Sequence, residues 1–263
     1  MKNSFIVVTG AGSGIGRAVV LACAAKGARV AVLDVDESSA VSVASEAMAA
    51  GAPVAIALHC DVHSEESQSA AFDQLVSEQG LFDGVFANAG IEINAPLHTM
   101  TIEQWQKVID VNLTGVFLTC KHALRHLVQS EAHASIVCSS SPSAFVGFAG
   151  GGNGAYASSK GGISALVRST ALDYAAAGIR VNGVVPGATD TPMMLVGVPV
   201  ESQSEAIRQI REAATEQIPL GRLASPDEIA AAVVWLLSKD SSYVTGSNLV
   251  CDGGLMAKSA NTF

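Results

Sequence analysis

The residue types able to do chemistry gather between positions 139 and 160, SSSPSAFVGFAGGGNGAYASSK. Three consecutive serines and a glycine-rich loop lead there to Tyr156 and Lys160. On a helix, residues four apart lie one above the other on the same face, so Tyr156 and Lys160 can point into one site. An ammonium beside a phenol favours the phenolate, lowering its pKa from about 10 towards the range where protons are exchanged. A serine hydroxyl from the run can hold a substrate oxygen over that phenol. The spacing alone also describes the start of an ordinary amphipathic helix, so its meaning depends on the elements around it.

Those elements alternate regularly. Strand-like, β-branched runs fall at 5–8, 29–33, 54–58, 84–87, 135–138, 180–185 and 248–250. Segments of helical period lie between them, at about 14–26, 37–50, 64–79, 101–129, 155–177, 203–217 and 226–238. Several helix starts are marked: Ser64 with Ser67, the capping box Thr101–Gln104, and Ser225 followed by Pro226, Asp227 and Glu228. Regular βα alternation implies a parallel sheet with helices on both faces. No linker, repeat or low-complexity tract interrupts residues 1–263, which read as one domain.

The first strand runs into Thr9-Gly10-Ala11-Gly12-Ser13-Gly14-Ile15-Gly16. Small residues there allow a tight turn and a close approach to a pyrophosphate, whose charge meets the N-terminus of the next helix. The fit is to T-G-x-x-x-G-x-G, not to G-x-G-x-x-G, because Ile15 stands where the latter needs its last glycine. The second strand ends in Asp34, an acceptor for two ribose hydroxyls that would repel a 2′-phosphate. Neither Ser13 nor Val35 is basic, so NAD is expected over NADP; Asp36 lies past the strand and is expected to start the next helix. Asp61-Val62 after the third strand can meet an adenine, and Asn88-Ala89-Gly90 after the fourth can pass close to the cofactor.

Composition narrows the partners. Nearly half the residues are apolar and 15% are charged, enough for a substantial core. No apolar run reaches the roughly 18 residues of a membrane span, and the first apolar run is too short for a signal peptide, so a cytoplasmic protein is expected. A net charge of −9 argues against nucleic acid and anionic membranes as partners. Cys23, Cys60, Cys120, Cys138 and Cys251 are scattered singly and read as small buried hydrophobes, without disulfide or zinc spacing. His122 and His126 have metal-pair spacing but no third ligand near in sequence, so no metal is expected.

Together these motifs resemble the short-chain dehydrogenase/reductase family in its compact single-domain branch. The match spans nearly the whole chain and adds Asn112, Pro186-Gly187 with Thr191, and Asp252-Gly253-Gly254. The resemblance implies a doubly wound Rossmann-type fold, a seven-stranded parallel sheet flanked by helices, and hydride transfer between a nicotinamide and an alcohol or carbonyl carbon. It implies Tyr156 as general acid/base, and Lys160 holding the nicotinamide ribose and lowering the tyrosine's pKa together with the cationic ring. It implies a serine hydrogen bond to the substrate oxygen, and Asn112 holding a kinked helix and, through its carbonyl, a relay water. Gly10, Ser13, Gly14, Ile15, Gly16, Asp34, Asp61, Val62, Asn88, Ala89, Gly90, Pro186, Gly187, Thr189 and Thr191 would contact the cofactor, Thr191 at its carboxamide.

The family's usual serine-to-tyrosine spacing lands on Ser143. Aligning the local pattern to Gly147 favours Ser141, with two extra residues in the glycine-rich loop, and Ser141 is preferred because loops tolerate insertions. The resemblance puts the substrate segment at about 191–220. It lines the pocket with Ser143, Phe145, Phe148, Glu92, Ile93, Asn94 and the stretch 193–200 beginning at Met193, a largely apolar wall. A secondary alcohol or ketone is expected as substrate, and a homotetramer through helices 101–129, 155–177 and the C-terminal strand. A 3-oxoacyl-carrier-protein reductase is the rival; Asp34 opposes the NADPH such a reaction normally uses, and the segment Gln129-Ser130-Glu131-Ala132-His133 supplies no basic patch for an acidic carrier. A dinucleotide-sensing protein without catalysis is a further alternative, opposed by the complete Ser/Tyr/Lys/Asn set.

Overall fold

The computed structural model describes residues 1–128, 134–148, 150–196 and 198–258. Seven strands, β1 (Phe5–Thr9), β2 (Arg29–Asp34), β3 (Ala55–His59), β4 (Gly84–Ala87), β5 (Ser135–Ser139), β6 (Arg180–Pro186) and β7 (Asn248–Cys251), form one sheet. All neighbours are parallel, in the order β3-β2-β1-β4-β5-β6-β7. The helices are α1 (Gly14–Ala24), α2 (Glu37–Ala50), α3 (Glu65–Gln79), α4 (Ile102–Ile109), α5 (Gly115–Leu127), α6 (Gly154–Tyr174), α7 (Gln203–Gln217) and α8 (Pro226–Leu237).

Successive side chains of a strand point to opposite faces, and β1 shows the consequence. Ile6 and Val8 pack into a core shared with α1, α2 and α8, while Phe5 and Val7 enter a second core against α3, α5 and α6. All four are buried. Burying one such side chain fully is worth about 1.5–3 kcal/mol, so the two cores fix which helix covers which face.

The helix starts follow the capping chemistry. Asp36 caps α2, accepting from the Ser38 and Ser39 amides. Ser64 caps α3 through the Ser67 amide, and reciprocal capping boxes begin α4 at Thr101/Gln104 and α8 at Ser225/Glu228. The segment expected as one helix over 101–129 is instead α4, a π-helical turn Asp110–Thr114, and α5. Residues 129–133, expected to bear on an acidic carrier, lie outside the described residues. Cys23, Cys60, Cys120 and Cys138 are buried as expected. Cys251 is a correction: it is only partly buried, because β7 is an edge strand with a neighbour on one side.

The chain builds β1, β2 and β3 outward, then crosses back to place β4 on the other side of β1. At that reversal the connections leaving β1 and β4 diverge. A crevice opens there at the C-terminal ends of the strands, the general location of ligand sites in open α/β sheets.

Candidate active site

A cavity of ≈ 900 Å³ occupies this crevice. Its wall includes Gly10, Ser13, Gly14, Ile15, Asp34, Asp61, Val62, Asn88, Ala89, Gly90, Ser141, Ser143, Phe148, Tyr156, Lys160, Pro186, Gly187, Thr189, Thr191 and Met193. Of the residues expected in catalysis or at the cofactor, Gly16 and Asn112 do not line it, and both pack behind its wall.

Steric fit explains the glycine turn. Gly10 has φ +60, and a Cβ there would meet Ala89 Cα at 2.7 Å. A Cβ on Gly16 would sit 2.2 Å from the Gly10 carbonyl and 2.7 Å from Asn88 Nδ2. The turn can therefore fold onto the β4 connection only with glycine at both positions. Asn88 locks the two together: its side chain donates to the carbonyls of Thr9 (3.1 Å) and Gly10 (3.0 Å), and its amide donates to Thr9 Oγ1 (3.0 Å).

Gly12, which the motif leaves as a variable position, carries a role of its own. Its amide donates to Asp34 Oδ2 at 2.8 Å, and a Cβ there would lie 2.9 Å from the same oxygen. The other oxygen, Oδ1, accepts from the Asp36 amide at 3.0 Å. Backbone donors thus aim the Asp34 carboxylate into the cavity, and each oxygen retains capacity to accept from a ribose hydroxyl. Asp61, which also lines the cavity, faces His63, whose Nδ1 lies 2.6 Å from Asp61 Oδ1.

The serine run divides its work. Ser139 offers its carbonyl to Lys160 Nζ at 2.8 Å. Ser140 Oγ ties β5 to α6 through the Lys160 carbonyl (3.2 Å) and Ser164 Oγ (2.8 Å). Ser141 Oγ donates to Ser143 Oγ at 3.4 Å and accepts from the Ser143 amide at 3.3 Å, and its hydroxyl lowers the Tyr156 pKa against the rise that burial causes. Ser143 Oγ also accepts from Asn153 Nδ2 at 3.3 Å, where α6 begins. Both serines line the cavity with Tyr156; Ser141 is the one whose hydroxyl acts on the phenol's pKa, and Ser143 is also tied to Asn153 at the end of the glycine-rich loop.

Lys160 is buried beneath Tyr156, its ammonium 5.4 Å from the ring centroid. Burial pulls Lys160 down to about 8 and pushes Tyr156 up to about 12, the Ser141 hydroxyl opposing the latter. In the ligand-free chain this reverses the expected lowering of the phenol by the lysine. Desolvation dominates, and the ammonium donates to the Ser139 carbonyl.

Asn112 sits in the π-helical turn, fully buried. Its Oδ1 accepts from the Ile91 amide at 2.8 Å, and its Nδ2 donates to the Ile91 carbonyl (2.9 Å) and Ser159 Oγ (3.2 Å). One side chain thereby fixes the β4 connection against α6 beside Tyr156. Asp252 packs behind Gly187, which lines the cavity. Asp252 accepts from the Gly254 and Met256 amides, both at 2.8 Å, and a Cβ on Gly187 would meet Asp252 Cα at 2.6 Å.

The substrate end differs from expectation in detail. Phe148, Met193 and Met194 line the cavity, but Phe145, Ile93 and Asn94 do not, and Phe145 is 46% exposed. The wall also includes Ile210, Ala213 and Ala214 of α7, which the family pattern does not single out. Their spacing of three and four along one helix face is the signal that could have found them. Glu92 lines this end too, so the wall is not purely apolar.

A glycine turn, an acid closing β2, and a Ser/Tyr/Lys corner at the reversal of the sheet define a dinucleotide-dependent oxidoreductase site. The family model for enoyl-(acyl carrier protein) reductase, adh_short_C2, matches residues 10–256, and the chain belongs to the short-chain dehydrogenase/reductase family. It is 42% identical over 253 residues to cis-4-hydroxycyclohexanecarboxylate dehydrogenase of Sinomonas cyclohexanicum, covering 95% of this chain and 96% of the relative. It is 38% identical to 2,5-dichloro-2,5-cyclohexadiene-1,4-diol dehydrogenase of Sphingobium indicum strain UT26, covering 98% of each. Its fold superposes with a TM-score of 0.90 on the crystal structure of a short-chain type dehydrogenase/reductase from Mycobacterium marinum, at 32% identity, covering 98% of this chain and 97% of that one. Dehydrogenases of this family use a nicotinamide dinucleotide. No helix among the described residues is long and apolar enough to cross a membrane.

Proposed function

We propose that this protein is an NAD-dependent dehydrogenase that interconverts a secondary alcohol on an alicyclic ring and the corresponding ketone. The observation that carries the reading is the Ser141–Tyr156–Lys160 corner at one end of a cavity whose other end is closed by Asp34. Two relatives whose names describe six-membered ring alcohols support the ring. The mixed apolar wall of Phe148, Met193 and Met194 suits one.

The residues present fit a dinucleotide, since a Cβ at Gly10 would fill the turn and Asp34 is held open by backbone donors. Asp34 favours NAD because a 2′-phosphate would face its carboxylate. A nicotinamide held there would supply the hydride acceptor for oxidation and the hydride donor for reduction. Ser141 Oγ donates a hydrogen bond to the substrate oxygen. Tyr156 takes the hydroxyl proton as general base and gives it back in the other direction, a role worth about 10²–10⁴-fold. Lys160 holds the phenol's surroundings positive, and Asn112 holds the connection on which the pocket is built. Residues 191–220 bear on the substrate, and the working form is a cytoplasmic homotetramer.

The test is a rate screen following NADH absorbance over cyclohexanols, cyclohexanediols, hydroxysteroids, linear secondary alcohols and 3-hydroxyacyl thioesters, with NAD and NADP in parallel. Ring alcohols with NAD should give the highest kcat/KM. Preference for the acyl thioester, or equal use of NADP, would overturn the proposal in substrate or in cofactor.

A further inference from the structure

Glu92 is a charged side chain at the substrate end with no part in the chemistry above. It follows Ile91, whose amide and carbonyl are both clamped by the Asn112 side chain, so its place in the wall is fixed by a buried hydrogen-bond pair. It lines the cavity together with Ser141, Ser143, Phe148, Tyr156 and Met193, and is partly buried there. Among the described residues its carboxylate makes no hydrogen bond and no ion pair. Its negative charge reaches the reacting corner, because it raises the pKa of both Tyr156 and Lys160.

Two described lysines, Lys107 and Lys160, line the same cavity. Lys160 is engaged with the Ser139 carbonyl beneath the phenol, and Lys107 stands on an exposed face of α4. A substrate held between Phe148, Met193 and Tyr156 therefore meets a carboxylate with unused acceptor capacity. An ionised carboxylate can only accept hydrogen bonds, and it repels a second anion brought into a partly desolvated space. Sites that present an acceptor discriminate strongly against ligands unable to donate to it.

We infer that Glu92 sets the charge of the substrate: it accepts a hydrogen bond from a second O–H or N–H donor on a neutral ring alcohol and turns away ring alcohols that carry a carboxylate. The inference rests on the ring-alcohol reading, and it separates the two relatives' substrate types, placing this chain with a diol rather than a hydroxy acid.

An isosteric pair isolates the charge. The ratio of kcat/KM for cis-4-hydroxycyclohexanecarboxamide to that for cis-4-hydroxycyclohexanecarboxylate is measured with NAD, beside cyclohexanol and cis-1,4-cyclohexanediol. The native chain should favour the amide over the acid by at least about tenfold, the difference lying mainly in KM, and the diol over cyclohexanol. Glu92→Gln should bring the amide-to-acid ratio to within about threefold of one, and Glu92→Asp, which keeps the charge, should restore it towards the native value. A native ratio near one, or a ratio that Glu92→Gln leaves in place, overturns the inference. Turnover of linear secondary alcohols but of no cyclohexanol overturns the ring-alcohol reading instead, and is distinguishable because cyclohexanol carries no second group for Glu92 to sense.

Discussion

The end of the cavity proposed for the adenosine and pyrophosphate is built from backbone, whereas the end proposed for the substrate is built from side chains. At the first, Gly10, Gly12 and Gly16 are fixed by contacts of 2.2–2.9 Å that any Cβ would make, and Asn88 and Asp34 are held by main-chain partners. At the second, Phe148, Met193 and Met194 come from connections between elements, and the Glu92 carboxylate makes no hydrogen bond or ion pair among the described residues. A backbone cradle tolerates almost no substitution and binds an invariant part of a ligand. A side-chain wall can change residue by residue while the sheet beneath it stays the same, so the difference divides the constant half of the reaction from the half that selects a substrate. Tyr156, Ser141 and Lys160 stand at the boundary, and predictions about them test where the boundary falls.

The largest effect is expected from Tyr156→Phe. Removing only the phenolic oxygen should lower kcat by about 10³-fold or more, since it deletes the proton acceptor, while NADH affinity by fluorescence titration stays within about twofold. A large loss of NADH affinity would show that the tyrosine belongs to the cradle. The pH dependence has a definite sign. With burial holding the phenol up at about 12, alcohol oxidation should rise with pH as the phenolate fraction grows, and Tyr156→Phe should remove that rise.

What could be read from the sequence follows the same division. The cradle was legible because each steric demand leaves one permissible residue, as at Gly10 and Gly16, and the strand bounds were legible because β-branched runs end where those turns begin. Gly12 was passed over because its demand comes from Asp34, 22 residues away, which a local motif does not reveal. The π-helical turn at Asp110–Thr114 does not show in the helical period over 101–129; the family resemblance alone, through Asn112, implied a kink there. The direction of the Tyr156 shift was misjudged because spacing reports proximity to Lys160 but not the desolvation of both groups.

An intermediate effect should separate the two serines. Ser141→Ala removes the hydroxyl proposed to hold the substrate oxygen, and the loss of one oxyanion donor is expected to cost about 10²-fold in kcat. Ser143→Ala removes a partner of Asn153 at the start of α6 and should cost less than about tenfold, appearing partly as a lower melting temperature. The reverse order would move the chemistry two residues along the chain and make the glycine-rich loop of ordinary family length.

The smallest effect concerns stability and asks whether Lys160 is a piece of scaffold. It is buried, with one described acceptor, the Ser139 carbonyl, and its pKa falls to about 8 from 10.5. A lowered pKa in the folded chain means that the unfolded chain binds more protons between those two values. The lysine's contribution to stability therefore rises with pH through that window and is least favourable below about 8, where the buried ammonium must stay charged. Lys160→Met should abolish turnover yet compare best in melting temperature with the native chain near pH 7, its relative advantage shrinking by a few degrees towards pH 10. Taking the difference between the two proteins at each pH removes the titration of the other groups. A difference that stays flat across the window would mean that the ammonium is as well solvated in the fold as out of it, and Lys160 would then belong to the rigid cradle alone.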